Sequence, residues 1–333
     1  MSKPRLLYIG HSYHTKTRST VFLQELLAEH FETTLLTDES WVLGRKGVGV
    51  DDINRCQADH ILFFQQLPPR KVLRQIRCRN LTWVPMYDGV ASASRDRLLS
   101  YRDSGIKILS FSTTTHRMFE QMGFVSDCVR YYPQAEVGAP PDEVSTDLRV
   151  FFWQRMRDID FHRLRAVLGE LRPQSILLRS APDPGQILEV PTSGEIGDHR
   201  VEIVDGWLEK PRYLELLRRC NVFMAPRRRE GIGQATLEAM SHGMAVIAPD
   251  EPTMNEYIRH GVNGYLYQPE RPEPLDFAEL PTVRRRALAG LVSGRAAWLQ
   301  SAPRIIEFVA RRPGKTSWHW KARRTLRRQP GGP

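Results

Sequence analysis

Glu230 and Glu238 stand eight positions apart in the segment Val222–Tyr267, VFMAPRRREGIGQATLEAMSHGMAVIAPDEPTMNEYIRHGVNGYLY. The apolar run Val222–Ala225 reads as a strand stopped by Pro226, so Glu230 falls in the loop beyond a strand's carboxyl end. Gly231 and Gly233 let the backbone approach a ligand closely and open a helix. The free N–H groups and positive dipole end of a helix start suit a phosphate. Near-helical geometry over this spacing turns both carboxylates to one side. Carboxylates accept hydrogen bonds from hydroxyls, so the pattern suits a ligand with hydroxyls at two places and phosphates between them. A sugar joined through a diphosphate to a ribose has that layout.

Other residues add to this set. Arg227-Arg228-Arg229 immediately precede Glu230, either as an exposed charge run or as guanidinium groups for phosphate or carboxylate. The strand Arg149–Trp153 runs into Gln154-Arg155, placing Arg155 at another carboxyl end. The first strand ends at Gly10 and is followed by His11-Ser12-Tyr13-His14-Thr15-Lys16-Thr17-Arg18-Ser19. This loop offers Lys16 and Arg18 to the phosphate of a donor or to an anionic acceptor, or is a solvated loop with Ser19 as a helix N-cap. Asp88, in Pro85-Met86-Tyr87-Asp88-Gly89, is either a turn former or a group that orients an acceptor hydroxyl. Thr253-x-x-Glu256 reads as a capping box.

The block Glu230-Gly231-Ile232-Gly233, Glu238-Ala239-Met240 and Gly243, with Val246-Ile247-Ala248, Asn255–Ile258 and Gly261-x-Asn263-Gly264 behind it, resembles the donor-site signature of family-4 glycosyltransferases, the glycosyl transferases group 1. The likeness is close over Val222–Tyr267 and rests elsewhere on element order. It implies an α/β protein of GT-B fold, with two Rossmann-like doubly wound domains facing a central cleft. It further implies a nucleotide-sugar donor, a glycan or lipid-linked acceptor and retention of anomeric configuration, in synthesis of a bacterial surface polysaccharide or lipopolysaccharide. By the resemblance Glu230 meets the donor sugar, Glu238 the ribose, and Gly231, Ile232 and Gly233 the diphosphate. Arg155 matches the arginine of a Gly-Arg pair that meets the same diphosphate, but Gln154 replaces the glycine. The partnering lysine falls on Asp160, leaving Arg157 and Arg163 as candidate substitutes. Relatives carry a glycine-rich loop where this chain has His11–Ser19, and a histidine where it has Tyr87. Trp207 lies where relatives place the base, although its residue type reads as core. A non-catalytic GT-B relative that binds a glycan or partner, or a GT-B-shaped epimerase, is the alternative.

The elements that position these residues follow from short apolar runs alternating with amphipathic stretches, the pattern of parallel sheets. In the first half strands are expected at Arg5–Ile9, Thr33–Leu36, His60–Phe64, Leu81–Met86 and Lys107–Phe111. In the second they are expected at Arg149–Trp153, Ser175–Leu178, Val201–Val204, Val222–Ala225 and Ala245–Ala248. The proline- and acid-rich stretch Gln134–Asp147 breaks the rhythm. The expected division is an acceptor-side domain over 1–134, a linker over 135–147, a donor domain over 148–300, and a closing helix with a basic tail over 301–333. Pro269–Pro281 reads as loop, and Ala287–Trp298 and Arg304–Arg311 as two closing helices.

The charge is concentrated. Of 48 Lys+Arg in the 333 residues, eight lie in Arg311–Pro333 with no acidic residue, which leaves 40 basic against 38 acidic side chains in the rest. A nucleic-acid-binding body spreads basic residues over its folded face, so no nucleic-acid partner is expected. The tail, with Trp318 and Trp320 among its cations, reads either as a solvated charged segment or as one that meets an anionic membrane surface, the partner expected here. The four cysteines, Cys56, Cys78, Cys128 and Cys220, lack metal or disulfide spacing and read as free thiols. No cofactor or metal is expected. The N-terminus resembles no signal peptide, and no apolar run reaches spanning length, so a cytoplasmic or peripheral protein is expected.

Overall fold

The computed structural model describes residues 2–42, 44–136 and 147–312. The linker expectation falls largely on 137–146, and the basic tail with both its tryptophans on 313–333, outside the described residues. The chain divides into two units, Met1–Arg130 with the residues from Gln300 onward, and Tyr131–Leu299.

The first unit holds β1 (Arg5–Gly10), β2 (Glu32–Thr37), β3 (His60–Phe64), β4 (Leu81–Val84), β5 (Lys107–Ser110) and β6 (Ser126–Cys128), in the order β2-β1-β3-β4-β5-β6. The second holds β7 (Arg149–Gln154), β8 (Ser175–Ser180), β9 (Val201–Asp205), β10 (Val222–Met224), β11 (Ala245–Pro249) and β12 (Tyr265–Tyr267), in the order β12-β11-β10-β7-β8-β9. Among the described residues the neighbouring strands of both sheets pair in parallel, as alternating strands and helices require. The central strands are apolar along their length because helices cover both faces: Ile61, Leu62, Phe63 and Phe64 of β3 are all buried, as are Val150, Phe151 and Phe152 of β7. Each unit has its own core, Leu7, Phe63, Trp83 and Phe119 belonging to the first and Phe152, Leu164, Met224 and Ile247 to the second.

In both sheets the strand order reverses beside the first strand, between β1 and β3 and between β7 and β10. In an open parallel sheet the loops leaving such a pair part to opposite faces, which opens a crevice at the carboxyl ends.

Several local expectations change. β6 and β12 are three-residue edge strands, too short to leave a periodic signal. The two closing helices are one, Leu280–Ala310, which continues through Pro303. From Gln300 onward it belongs to the first unit, and its end is held there by a buried lysine. Lys107 Nζ donates to the carbonyls of Phe308 (2.7 Å), Val309 (3.0 Å) and Arg311, and Asn80 Nδ2 donates to that of Ala310 (3.0 Å). An amine at the carboxyl end of a helix meets carbonyls with no intrahelical partner, and burial brings the Lys107 pKa down to about 7. The loop His11–Ser19 forms a short helix, Ser12–Thr17, and Ser19 is no N-cap: the next helix, Val21–Ala28, starts from Thr20. The capping box is formed by Thr192 and Glu195, not by Thr253 and Glu256. Cys220 is buried, the other three cysteines are half-buried, and all four are free thiols. Among the described residues no helix is long and apolar enough to cross a membrane.

Candidate active site

The carboxyl edge of the second sheet carries most of the expected site. Leaving β10, the chain runs through Pro226 and Arg227–Arg229 to Glu230, and the helix Gln234–Ser241 starts from Gly233. Gly233 has φ +74°, and a Cβ there would collide with the Met254 side chain, so the turn into this helix requires glycine. Helical geometry begins only after this turn and does not extend back to Glu230. The loop is fixed from behind by Thr253, whose Oγ1 donates to the Glu230 carbonyl (3.3 Å) in place of the expected cap. Gly231, Ile232 and Gly233 are buried, while Glu230 and Glu238 are half-buried. Glu238 forms an ion pair with Lys210, at the start of the helix Lys210–Arg218. Nothing in the sequence links positions 28 apart, so Lys210 had no signal.

Arg155 leaves β7 buried, its guanidinium 4.5 Å from the Trp153 ring centre. Its Nε and Nη2 donate to Asp183 Oδ1 at 3.0 and 2.7 Å, and Arg227 Nη2 donates to Asp183 Oδ2. Asp183 lies in the loop after β8, and sequence reasoning missed it because it carries no motif. Gln154, at the place of the family glycine, does not crowd the site. It is buried and donates from Nε2 to the Glu189 carbonyl (3.0 Å), fastening the loop that contains Asp183.

Of the remaining candidate arginines, Arg228, Arg229 and Arg163 are engaged elsewhere. Arg228 pairs with Glu251 and Glu270, which hold its guanidinium more firmly protonated than usual, and Arg229 Nε is 3.3 Å from Glu251 Oε2. Asp160 caps the helix Phe161–Leu168 by accepting from Arg163 N–H (2.8 Å), and Arg163 Nη1 donates to the Pro269 carbonyl. Arg157 is exposed, and its backbone N–H donates to Gln186 (3.2 Å).

Trp207 is not a core residue. It is 45% exposed in the loop after β9, with the Arg179 guanidinium 5.9 Å from its ring centre. That guanidinium is buried against Trp153 (4.1 Å) and Tyr213 (5.5 Å).

The carboxyl edge of the first sheet has a different chemistry. His11 follows β1 and Gln65 follows β3. Gln65 Oε1 lies 3.1 Å from His11 Nε2 and 2.9 Å from His14 Nε2, and His14 Nδ1 lies 2.7 Å from Ser19 Oγ. The two imidazoles are 3.9 Å apart, and His11 also packs 5.1 Å from the Trp41 ring. Burial, reinforced by the neighbouring His11, pushes His14 down to about 4. Burial lowers His11 too, against the opposite pull of Gln65, Glu39, Asp38 and Asp88. At neutral pH the pair is therefore uncharged. Asp88 lies in the first turn of the helix Tyr87–Val90, its Oδ1 accepting from Gly89 N–H (3.0 Å), and Lys16 and Arg18 are exposed. Among the described residues, no group of three or more His, Cys, Asp or Glu side chains is arranged to hold a metal ion.

Two parallel sheets, each with its crevice residues at a strand-order reversal, are the architecture of GT-B glycosyltransferases. Residues 180–280 match the family model for glycosyl transferases group 1, which carries the sequence resemblance across the Glu230–Glu238 block. The Anabaena protein HepE, solved with UDP and glucose, superposes with a TM-score of 0.59 at 16% identity, over 91% of this chain and 100% of its own. A glycosyltransferase from Rickettsia africae gives 0.60 at 12% identity, over 93% and 99%. The lipopolysaccharide outer core galactosyltransferase WaaB, in its apo form, gives 0.55 at 13%, over 91% and 99%. These likenesses establish a shared fold. No curated protein matches the chain in sequence.

Proposed function

We propose that the protein is a glycosyltransferase that moves a sugar from a nucleotide-sugar donor to a glycan or lipid-linked acceptor, with retention of anomeric configuration. The observation that carries this reading is the convergence of Glu230, the Gly231–Gly233 turn, Arg155 and Arg227 on one strand-order reversal, at the carboxyl ends of β7 and β10. Glu230 holds hydroxyls of the donor sugar, Glu238 those of the ribose, and Trp207 offers its exposed face to the base. The bond from the anomeric carbon to the diphosphate breaks, and its electron pair leaves on the phosphate oxygen. Guanidinium groups already in place stabilise the charge that develops there. The acceptor oxygen bonds to the anomeric carbon, and its proton passes to the departing phosphate. This route calls on no metal or other cofactor. Asp88 and the neutral His11–His14 pair serve the acceptor side, and the exposed Lys16 and Arg18 are offered to donor phosphate or an anionic acceptor.

Glu230→Ala is expected to cut transfer about 100-fold or more, the scale seen when one electrostatic contact to a reacting centre is removed. Its fold should survive, because Thr253 grips the Glu230 backbone, not its side chain. Release of nucleoside diphosphate from UDP-, GDP-, dTDP- and ADP-sugars is the measurement, and undiminished release by the variant refutes the assignment.

A surface polysaccharide or lipopolysaccharide product is the finer reading, supported by the fold shared with the lipopolysaccharide galactosyltransferase. The basic tail extends it: residues 313–333 bring the enzyme to an anionic leaflet on the cytoplasmic side, each cation contributing about 1 kcal/mol. Deleting 313–333 should weaken binding to anionic vesicles and spare donor binding; equal vesicle binding refutes the membrane role.

A further inference from the structure

The contact that the resemblance assigns to a lysine falls on Asp160, and Asp160 is committed to capping a helix. Neither candidate substitute replaces it, since Arg163 is turned to the Pro269 carbonyl and Arg157 is exposed. Arg228 and Arg229 are drawn to Glu251. Arg227 alone of the triplet is joined to Arg155, and the joint is a single carboxylate. Asp183 Oδ1 takes Nε and Nη2 of Arg155 (3.0 and 2.7 Å), and Oδ2 takes Nη2 of Arg227. The backbone repeats the tie, as Asp183 N–H donates to the Arg155 carbonyl (3.1 Å). Three side chains from the carboxyl ends of β7, β8 and β10 are thus fixed as one unit. The side chains of Arg155 and Asp183 are only 10% and 12% exposed, and that of Arg227 is 25% exposed.

We infer that Arg155, Asp183 and Arg227 form one diphosphate clamp, in which Arg227 makes the second phosphate contact and Asp183 is the positioning residue that holds both guanidinium groups. The inference rests on the proposed donor site. Two guanidinium groups this close repel each other, and a shared carboxylate removes that repulsion and fixes the direction of both planar forks. Asp183 itself stays off the phosphates, since carboxylate and phosphate repel. Its effect is preorganisation: the arginines need not be collected when the donor arrives.

The test is calorimetric titration of the full chain with UDP, GDP, dTDP and ADP and with the matching monophosphates. Wild type should bind one diphosphate more tightly than its monophosphate. In Asp183→Asn that advantage should fall about tenfold, the scale of one charge-assisted hydrogen bond. Asp183→Glu should restore part of it. Arg227→Gln, at the most exposed of the three positions, should lose a similar factor and serves if Asp183→Asn does not fold. Because the residues act together, the double variant should be little worse than the worse single one. A wild-type ratio in Asp183→Asn or in Arg227→Gln overturns the clamp while leaving the donor site standing. Failure of wild type to bind any of the four diphosphates overturns the donor site and the clamp together.

Discussion

At the strand-order reversal of the first sheet stand His11, His14 and Gln65; at that of the second stand Arg155 and Arg227, joined by Asp183 from the neighbouring loop after β8. The backbone setting is the same, two diverging loops at the carboxyl ends of neighbouring parallel strands. The side chains are not. The first pair of loops buries two neutral imidazoles on one amide oxygen, beside the ring of Trp41. The second sets a buried guanidinium, beside the ring of Trp153, and a half-buried one on a single carboxylate. An uncharged, hydrogen-bonding and aromatic wall suits hydroxyl-bearing sugars, whereas fixed guanidinium forks suit phosphate. The fold makes the crevice, and the residues set in it decide which chemical groups each unit can meet.

Three perturbations separate the two regions. The largest effect belongs to Glu230→Ala, which should cut transfer about 100-fold or more while leaving the neutral His11–His14 pair of the other unit in place.

The intermediate effect is in the histidines. His14 titrates near 4 in the folded chain against an ordinary value of 6.5. Between those values the unfolded chain binds a proton that the folded chain refuses, so stability falls as pH falls from 6.5 towards 4 and is unaffected by this group above 6.5. Replacing His14 by Gln should flatten that slope in urea unfolding followed from pH 7 to pH 4. The groups facing His14 are His11, Gln65 and Ser19, and those acting on His11 include Glu39, Asp38 and Asp88. An unchanged slope would mean that the pair is not held neutral.

The smallest effect on the fold belongs to Trp207→Ala. An exposed side chain contributes little, so unfolding free energy should stay within about 0.5 kcal/mol of wild type. Loss of a stacking face should still weaken nucleoside diphosphate binding about tenfold, since base–aromatic stacking is worth about 1–3 kcal/mol. A large loss of stability would return Trp207 to the core.

Much of the architecture was legible because parallel strands buried on both faces are written as unbroken apolar runs, as in His60–Phe64 and Arg149–Trp153. The edge strands Ser126–Cys128 and Tyr265–Tyr267 were not, since three residues paired on one side leave no pattern. The proline at 303 misled for a related reason. Proline weakens a helix locally, but packing of Ile305, Phe308 and Val309 and the Lys107 clamp beyond it keep this one going. Thr253 misled because a capping box and a hydroxyl that grips a distant loop look alike along the chain.

The sequence by itself determined the two-unit parallel architecture, the glycine turn at Gly233 and the Glu230–Glu238 block, because these are set by periodicity, backbone conformation and residues close in the chain. Only the tertiary structure decided what each charge does. It joined Arg155 and Arg227 through Asp183, assigned Arg228 and Arg229 to Glu251, set Lys210 against Glu238, and exposed Trp207. Ionic and ring contacts depend on separations of a few ångströms between loops far apart in sequence, and that distance is fixed by how strands are ordered in the sheet.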